Sequence, residues 1–129
     1  MNGSIEAINF PEGITEIRNG LFENCNKLVI TELPDTITRI GRESFDGCNL
    51  LNLQKLPNNL AIIEYSAFGR TKVNITYLPK NLQEIGAYAF NGAGSGLLFT
   101  EIPVTIKTMW GYCFSGITSP SLTFLGKPE

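Results

Sequence analysis

The sequence predicts a β-rich repeat solenoid: about five stacked coils of 22–24 residues with a parallel β-sheet face and short helical turns. The first observation is a proline that recurs at steps of 23, 23, 22 and 24 residues. The second is a phenylalanine eleven residues after each proline. These two columns are Pro11, Pro34, Pro57, Pro79, Pro103 and Phe22, Phe45, Phe68, Phe90, Phe114.

Aliphatic side chains keep the same register between the proline and the phenylalanine. The position six residues after the proline is Ile17, Ile40, Ile63, Ile85 and Met109. One unit of about 23 residues cannot bury its own apolar face, whereas stacked copies can cover one another. We therefore expect the phenylalanines to form a buried spine of offset-stacked rings.

Two stretches of each unit have the pattern of extended chain. Pairs of apolar residues spaced by two indicate a strand, and we assign these pairs to the main parallel strand, which the next proline ends. The pairs are Leu28 with Ile30, Leu51 with Leu53, Val73 with Ile75, Leu97 with Phe99, and Leu122 with Phe124. A second short extended piece is expected around Ile17 and its copies. The segment before each phenylalanine, such as 86–90, lacks alternation and is expected to be a helical turn, giving a right-handed solenoid with two narrow sheets.

The repeat has the pattern Leu-Pro-x-x-Leu-x-x-Ile-Gly-x-x-Ala-Phe, and its best copies are residues 78–90 and 33–45. This pattern resembles the BspA-type, or Treponema-type, leucine-rich repeat over nearly the whole chain. Two columns depart from the family pattern. The glycine after the second aliphatic residue is present only as Gly41 and Gly86, and the cysteine after the phenylalanine is present only as Cys25 and Cys48. The resemblance implies adhesion at a cell surface, or binding of host or matrix proteins.

The 129 residues are predicted to form a single leucine-rich-repeat domain, residues 1–129, with a partial first coil at 1–10 and repeats that start near the five prolines. Ten basic and twelve acidic residues give a net charge of −2, so the charge of the chain does not favour binding to nucleic acid. No apolar run is long enough to insert into a membrane. The first residues lack the features of a signal peptide. We favour an extracellular, cell-surface or virion location without assigning one.

The chemistry of the chain predicts no enzyme, cofactor or metal site. It has no histidine and no Cys-x-x-Cys, and three cysteines argue against a disulfide framework. The resemblance implies that Cys25 and Cys48, one coil apart, pack as buried thiols, and Cys113 is expected to do the same. Paired carboxylates such as Glu43 and Asp46 fall in solvated turns. The glycine-rich loop 92–96 lacks the Lys-Ser/Thr ending of a phosphate-binding loop and is interpreted as absorbing an insertion.

Two groups of residues are candidates for binding a partner. The first is the outward row of the assigned main strands with one rim residue, and a merely solvated sheet face is the alternative interpretation. The second is a group of aromatic side chains; Tyr88 and Tyr112 share a column, and Trp110 replaces the consensus glycine. Trp110 is predicted either to contact a partner or to cover the final coil. The candidates are Thr31, Asn52, Gln54, Asn74, Thr76, Tyr77, Thr100, Tyr88, Trp110 and Tyr112.

The predicted function is non-catalytic binding or adhesion, in which a rigid strand face is presented to a protein or glycoprotein partner. A host surface or matrix protein is the expected partner. The alternative is a structural or decorating subunit of a larger assembly, such as a phage or virus particle or a surface appendage, bound to a neighbouring subunit. Neither hypothesis involves nucleic acid or a segment inserted in a membrane.

Overall fold

The computed structural model describes residues 5–93 and 101–115, together with the backbone of residues 123–124. Within these residues the chain forms two parallel sheets of two-residue strands. The larger sheet has the strand order β1-β2-β3-β4-β6, and the smaller sheet pairs β5 with β7. The strands are β1 Glu16–Ile17, β2 Arg39–Ile40, β3 Ile62–Ile63, β4 Glu84–Ile85, β5 Glu101–Ile102, β6 Thr108–Met109 and β7 Thr123–Phe124.

The strands of the larger sheet lie in register with the sequence repeat. Glu16 pairs with Arg39, and Ile17 pairs with Ile40, one repeat further along the chain. Successive side chains of a strand point to opposite faces, so the second residue of each strand enters the core. Ile17 and Ile40 are completely buried, as are their copies in β3 and β4. The stacked solenoid and its parallel sheet are therefore confirmed.

The assignment of the main strand was wrong. The larger sheet forms from the piece around Ile17 and its copies, while in the described residues the segments 28–30, 51–53 and 73–75 form no strand. Few backbone bonds link these segments; for example, Asn74 N donates to Leu53 O at 2.6 Å. The proline that closes each segment has a fixed φ and no N–H, which limits a regular ladder there.

The inward side chains of these segments are nevertheless buried as expected. Their burial depends on the spacing of apolar residues along the chain and does not require backbone hydrogen bonds between strands. Leu28, Leu51 and Val73 have no exposed surface. In the last coil, β7 falls within the strand predicted near residues 122–125. The pair Leu97 with Phe99 lies outside the described residues.

The segment before each phenylalanine consists of successive turns in place of the expected helical turn. The position two residues before the phenylalanine has a positive φ in all five coils. The position two residues after it has a positive φ in the first four coils. Left-handed residues interrupt a right-handed helix, so the chain doubles back in tight turns. The first column is Gly20, Glu43, Ser66, Tyr88 and Tyr112, and the second is Asn24, Gly47, Arg70 and Gly92.

These turns are joined from coil to coil by backbone hydrogen bonds that all run in one direction. Phe22 N donates to Ser44 O at 2.8 Å, and Phe45 N donates to Ala67 O at 2.9 Å. In each of the first four coils, every second N–H of the turn donates to a carbonyl of the following coil. The turns therefore act as a second ladder beside the five-stranded sheet and hold the exposed turn residues in place.

The phenylalanine spine is confirmed. Neighbouring rings from Phe22 to Phe114 are stacked, with centroids 5.3–5.7 Å apart and planes within 22° of parallel. Phe10 closes the N-terminal end of the spine edge-on against Phe22, at 6.3 Å. The three cysteines are free and buried, and the thiol of Cys48 donates to Phe22 O at 2.9 Å. The predicted core thiols are thus confirmed as well.

Candidate protein-binding surface

The outward face of the larger sheet is a row of charged and polar side chains. The first residues of β1, β2 and β4 are Glu16, Arg39 and Glu84, and none of them is fully buried. The guanidinium of Arg39 bridges three coils, because it contacts Glu16 at 3.3 Å and also contacts Glu64. Sequence reasoning missed this face because it placed the main strand elsewhere. The signal that was available is the pair of a polar and then an apolar residue that recurs at four of the five strands, with Ile62–Ile63 of β3 as the exception.

A run of exposed tyrosines lies at the turn that follows the strands. The rings of Tyr88 and Tyr112 are stacked with centroids 5.3 Å apart and planes 16° apart. Tyr65 meets Tyr88 edge-on at 5.9 Å. The guanidinium carbon of Arg42 lies 5.5 Å from the centroid of the Tyr65 ring, within the range of a cation–π contact. We call Tyr65, Tyr88, Tyr112 and Trp110 the aromatic ladder.

The aromatic side chains of the ladder are exposed to solvent. Tyr112 is 69% exposed and Trp110 is 54% exposed. The indole N–H of Trp110 donates to Glu84 Oε2 at 3.0 Å, which fixes the ring toward the preceding coil. Tyr88 and Tyr112 hold left-handed backbone positions with φ near +60°. An L-residue that is not glycine is uncommon there, so the fold keeps large rings at a backbone-strained and exposed column.

The structure joins only part of the predicted candidates into one surface. Tyr88 and Tyr112 are in contact, and Trp110 lies two residues before Tyr112 in the chain. Tyr65 belongs to the same surface but was not among the candidates, because it stands one column earlier than Tyr88 in the repeat. The contact arises from the three-dimensional offset of adjacent coils, which spacing alone does not show.

The remaining candidates belong to the segment that precedes each proline, away from the turn that carries the ladder. Thr31, Gln54, Asn74 and Thr76 are exposed. Asn52 is half-buried, and its buried Oδ1 accepts no hydrogen bond within the described part of the chain. Tyr77 is 46% exposed. Thr100 lies outside the described residues.

Comparison with known proteins agrees with this repeat architecture. The sequence model of the BspA type leucine rich repeat region matches six copies over residues 1–123. The chain belongs to the BspA-type leucine-rich repeat family. Domains of this repeat type generally mediate protein interactions, and the fold is generally non-enzymatic.

Among solved structures, the chain is similar to a leucine-rich repeat protein of T. pallidum. The two share 28% sequence identity, with a TM-score of 0.71. The match covers 84% of this leucine-rich repeat chain and 53% of the T. pallidum chain, so the chain spans about half the length of that protein. No curated protein matches the sequence. None of the described segments forms a helix long and apolar enough to cross a membrane.

One group of carboxylates in this leucine-rich repeat has the ligand types that a metal ion would use. Glu23, Glu43 and Asp46 each have an oxygen within 4.8 Å of the others. However, Arg70 already pairs with Asp46 through Nε at 3.2 Å and Nη2 at 2.9 Å. The carboxylate of Asp46 raises the pKa of Arg70. Asp46 therefore has a cation from the protein itself, and we interpret the group as structural.

The thiols of the core are not prepared for nucleophilic chemistry. Burial raises the pKa of Cys48 to about 12. Burial likewise raises the pKa of Cys25 and of Cys113. The thiolate is the reactive form of cysteine, so these three side chains are protonated and inert at neutral pH.

Proposed function

We propose that this leucine-rich repeat chain is a non-catalytic protein-binding module that contacts its partner through the aromatic ladder. The observation that carries the proposal is the continuous run of exposed, mutually packed rings from Tyr65 to Tyr112, with Trp110 beside it. Tyrosine, tryptophan and arginine are enriched among the residues that dominate protein interfaces. Scattered exposed rings would be unremarkable, but three exposed rings packed in a row, with exposed Trp110 two residues from Tyr112 in the chain, mark an interaction surface.

The rigidity of the ladder favours its use in binding. The rings of Tyr65, Tyr88 and Tyr112 pack against one another and the indole of Trp110 is bonded to Glu84, so less side-chain entropy is lost on binding than for isolated rings. The surrounding side chains resemble the polar rim of an interface. Arg39, Glu16 and Glu64 are paired with one another and do not require a charged partner.

The orientation of the rings favours a protein over a flat ligand. Because Tyr88 and Tyr112 stack face to face, each covers one face of the other and presents its edge outward. Ring edges carry partial positive charge and attract carbonyl and carboxylate oxygens. A partner with surface apolar groups and backbone carbonyls fits such a surface. Adhesion to a host surface or matrix protein, as the family resemblance implies, remains part of this proposal, with Thr31, Gln54, Asn74 and Thr76 as additional candidate contacts.

The experiment is affinity capture with the tagged chain from surface and matrix protein preparations and from a lysate of its source, followed by mass spectrometry. Any protein that is captured is then purified and titrated directly. We expect Tyr112→Ala and Trp110→Ala each to weaken the complex by at least about tenfold. Gln54→Ala and Thr76→Ala test the additional contacts and should have a smaller effect, and the exposed variant Lys72→Ala, outside both candidate groups, is the control. If Gln54→Ala and Thr76→Ala abolish binding while Tyr112→Ala and Trp110→Ala leave it intact, the polar row and not the ladder is the contact surface.

A second candidate function is that of a subunit in a larger assembly. It is favoured by the N-terminal edge of the backbone ladder that the turns form. In the second coil, the carbonyls of residues 42, 44 and 46 accept N–H groups from the first coil. The equivalent carbonyls of the first coil are those of Asn19, Leu21 and Glu23. Among the described residues none donates to these three carbonyls. Such an unpaired edge is suited to pairing with a further backbone. Concentration-dependent association in analytical ultracentrifugation that Leu21→Asp abolishes would support this function, and a monomer at every concentration would argue against self-assembly.

A further inference from the structure

A groove of about 650 Å³ lies at the other end of the repeat unit, next to the turns that follow the prolines. It spans three coils and contains none of the residues of the aromatic ladder. Ligand sites for small molecules fall in the same range of volumes. Its walls are formed by Asp35, Asn58, Asn59, Tyr77, Lys80 and Asn81, with Leu78 and Pro79 beneath them.

Tyr77 supplies the exposed apolar part of this groove. Its side chain is 46% exposed. Unlike the ladder tyrosines, it stacks on no other aromatic ring among the residues described, so its exposed part is available to a ligand. It follows directly on Thr76 and precedes the buried Leu78 and Pro79, which hold the backbone below the ring.

The opposite wall is a group of amide and carboxylate side chains held in fixed positions. The carboxylate of Asp35 accepts the backbone N–H of Asn58 at 3.0 Å and its side-chain amide at 3.2 Å. The side-chain amide of Asn59 donates to the carbonyl of Asp35 at 3.0 Å. The side-chain amides of Asn58 and Asn59 each use one of their two N–H groups in these bonds, and the other N–H of each remains. The Oδ1 atoms of Asn58 and Asn59 accept no bond within the described chain and remain available.

Donors remain on the other side of the groove. The carboxamide of Asn81, the ammonium of Lys80 and the hydroxyl of Tyr77 are exposed and make no side-chain bond to any described residue. The groove therefore combines fixed acceptors, free donors and one open aromatic face. Hydroxyl groups both donate and accept, so adjacent hydroxyls on a ring match such a mixed set of partners.

We propose that this groove binds an uncharged saccharide, with one sugar ring packed on Tyr77 and its hydroxyls bonded to Asn58, Asn59 and Asn81. A sugar ring has an apolar C–H face and a polar edge, which is the combination that the groove offers. One acidic and one basic side chain, Asp35 and Lys80, balance the charge of the site. A strong anion would therefore meet Asp35, and a cation would meet Lys80, which disfavours both.

This inference is independent of protein binding at the ladder, because the two surfaces share no residue. The probes are lactose, maltose, cellobiose, mannobiose and diacetylchitobiose, with sialyllactose as a charged comparison. Each is titrated into the isotope-labelled chain, and the backbone amides are followed by proton–nitrogen correlation spectra. We expect at least one neutral disaccharide to bind with a dissociation constant of about 1 mM or tighter. The shifted amides should be those of Asn58, Tyr77 and Asn81.

The variants separate the roles of the groups. Tyr77→Ala should weaken binding at least about tenfold, and Asn81→Ala by a smaller factor, since both side chains are exposed and their loss should not unfold the chain. Tyr77→Phe should retain most of the affinity, because it keeps the packing face. The matched control is Tyr112→Ala, which removes an exposed tyrosine from the ladder and should leave saccharide binding unchanged.

Three results would overturn the inference. The first is that none of the five disaccharides shifts amides of the groove. The second is that shifts occur but persist in Tyr77→Ala. The third is that sialyllactose binds more tightly than the neutral sugars and loses its affinity in Lys80→Ala, which would make this an anion site.

Discussion

The rings of Phe45 and Phe68 lie nearly parallel, with planes 2° apart and centroids separated by 5.5 Å. Both side chains are completely buried, and each is stacked on a further phenylalanine on its other side. The spine therefore continues through the stack, so removal of one ring also removes a contact from both adjacent coils.

Truncation of the central ring should cost much more stability than truncation of an exposed ring nearby. We expect Phe68→Ala to lower the free energy of unfolding by about 3–5 kcal/mol, because it leaves a cavity between two stacked rings. Tyr65→Ala should cost less than about 1 kcal/mol, since this ring is exposed. Chemical denaturation followed by circular dichroism measures both. Equal losses would show that the phenylalanine column is not the core of the stack.

The backbone at Gly86 leaves no room for a side chain, which predicts that Gly86→Ala and Gly111→Ala differ in stability. A Cβ atom at Gly86 would lie 2.5 Å from Tyr65 N and 2.6 Å from the carbonyl carbon of Glu64. These are backbone atoms of the preceding coil, which cannot move independently of the ladder. Gly86→Ala should therefore destabilise the chain by about 1–3 kcal/mol.

Gly111 provides the matched control for this prediction. A Cβ atom there would meet nothing within 4 Å. We expect Gly111→Ala to leave the thermal midpoint unchanged or slightly higher, because alanine restricts the unfolded chain more than glycine does. A similar loss of stability in the two variants would contradict the close approach of the coils at Gly86.

The pair formed by Arg70 and Asp46 predicts an effect of charge. The side chain of Asp46 is only 12% exposed, whereas that of Arg70 is 60% exposed. Arg70→Ala leaves a mostly buried carboxylate without its cation and should cost about 1 kcal/mol, a figure kept small because solvent screens the arginine. Arg18→Ala is the control, because Arg18 is exposed and forms no ion pair within the described part of the chain. The difference between the two variants should shrink in high salt, and a difference that does not depend on salt would point to packing instead of charge.

The buried thiol of Cys48 predicts a loss of stability at alkaline pH. Burial raises its pKa from 9.0 to about 12 in the folded chain. The folded state therefore holds a proton that the unfolded state loses, and the contribution is intact below pH 9 and declines as the pH rises toward 12. The slope for this one group reaches about 1.4 kcal/mol per pH unit.

The Cys48→Ala variant isolates this contribution from lysines and tyrosines that titrate in the same range. Unfolding free energies of both chains are compared from neutral pH to the alkaline limit. The variant should start less stable and lose stability less steeply above pH 9. Parallel curves for the two chains would mean that the thiol of Cys48 keeps an ordinary pKa.

Much of the core was predictable because burial in a stacked repeat depends on a period along the chain. Once Pro11 and Phe22 were seen to recur together, the buried positions followed, including Ile17 and Leu28. The burial of Cys25 and Cys48 was expected from the resemblance to the repeat family, and it is observed. Exposed side chains follow the period less regularly: the contact of Tyr88 with Tyr112 was indicated by their shared column, whereas that of Tyr65 with Tyr88 was not.

The amino-acid sequence by itself determined the number of coils in the sheet, the register between them and the side chains that fill the core, since these depend on the spacing of apolar residues. The tertiary structure decided which extended segment forms the five-stranded sheet, because a ladder requires N–H and C=O groups of neighbouring coils to face each other. It also decided the contact of Tyr65 with Tyr88 and the placement of Tyr77 and Asp35 around one groove. These arrangements depend on how far each coil is displaced from the next, a distance that residue spacing does not specify.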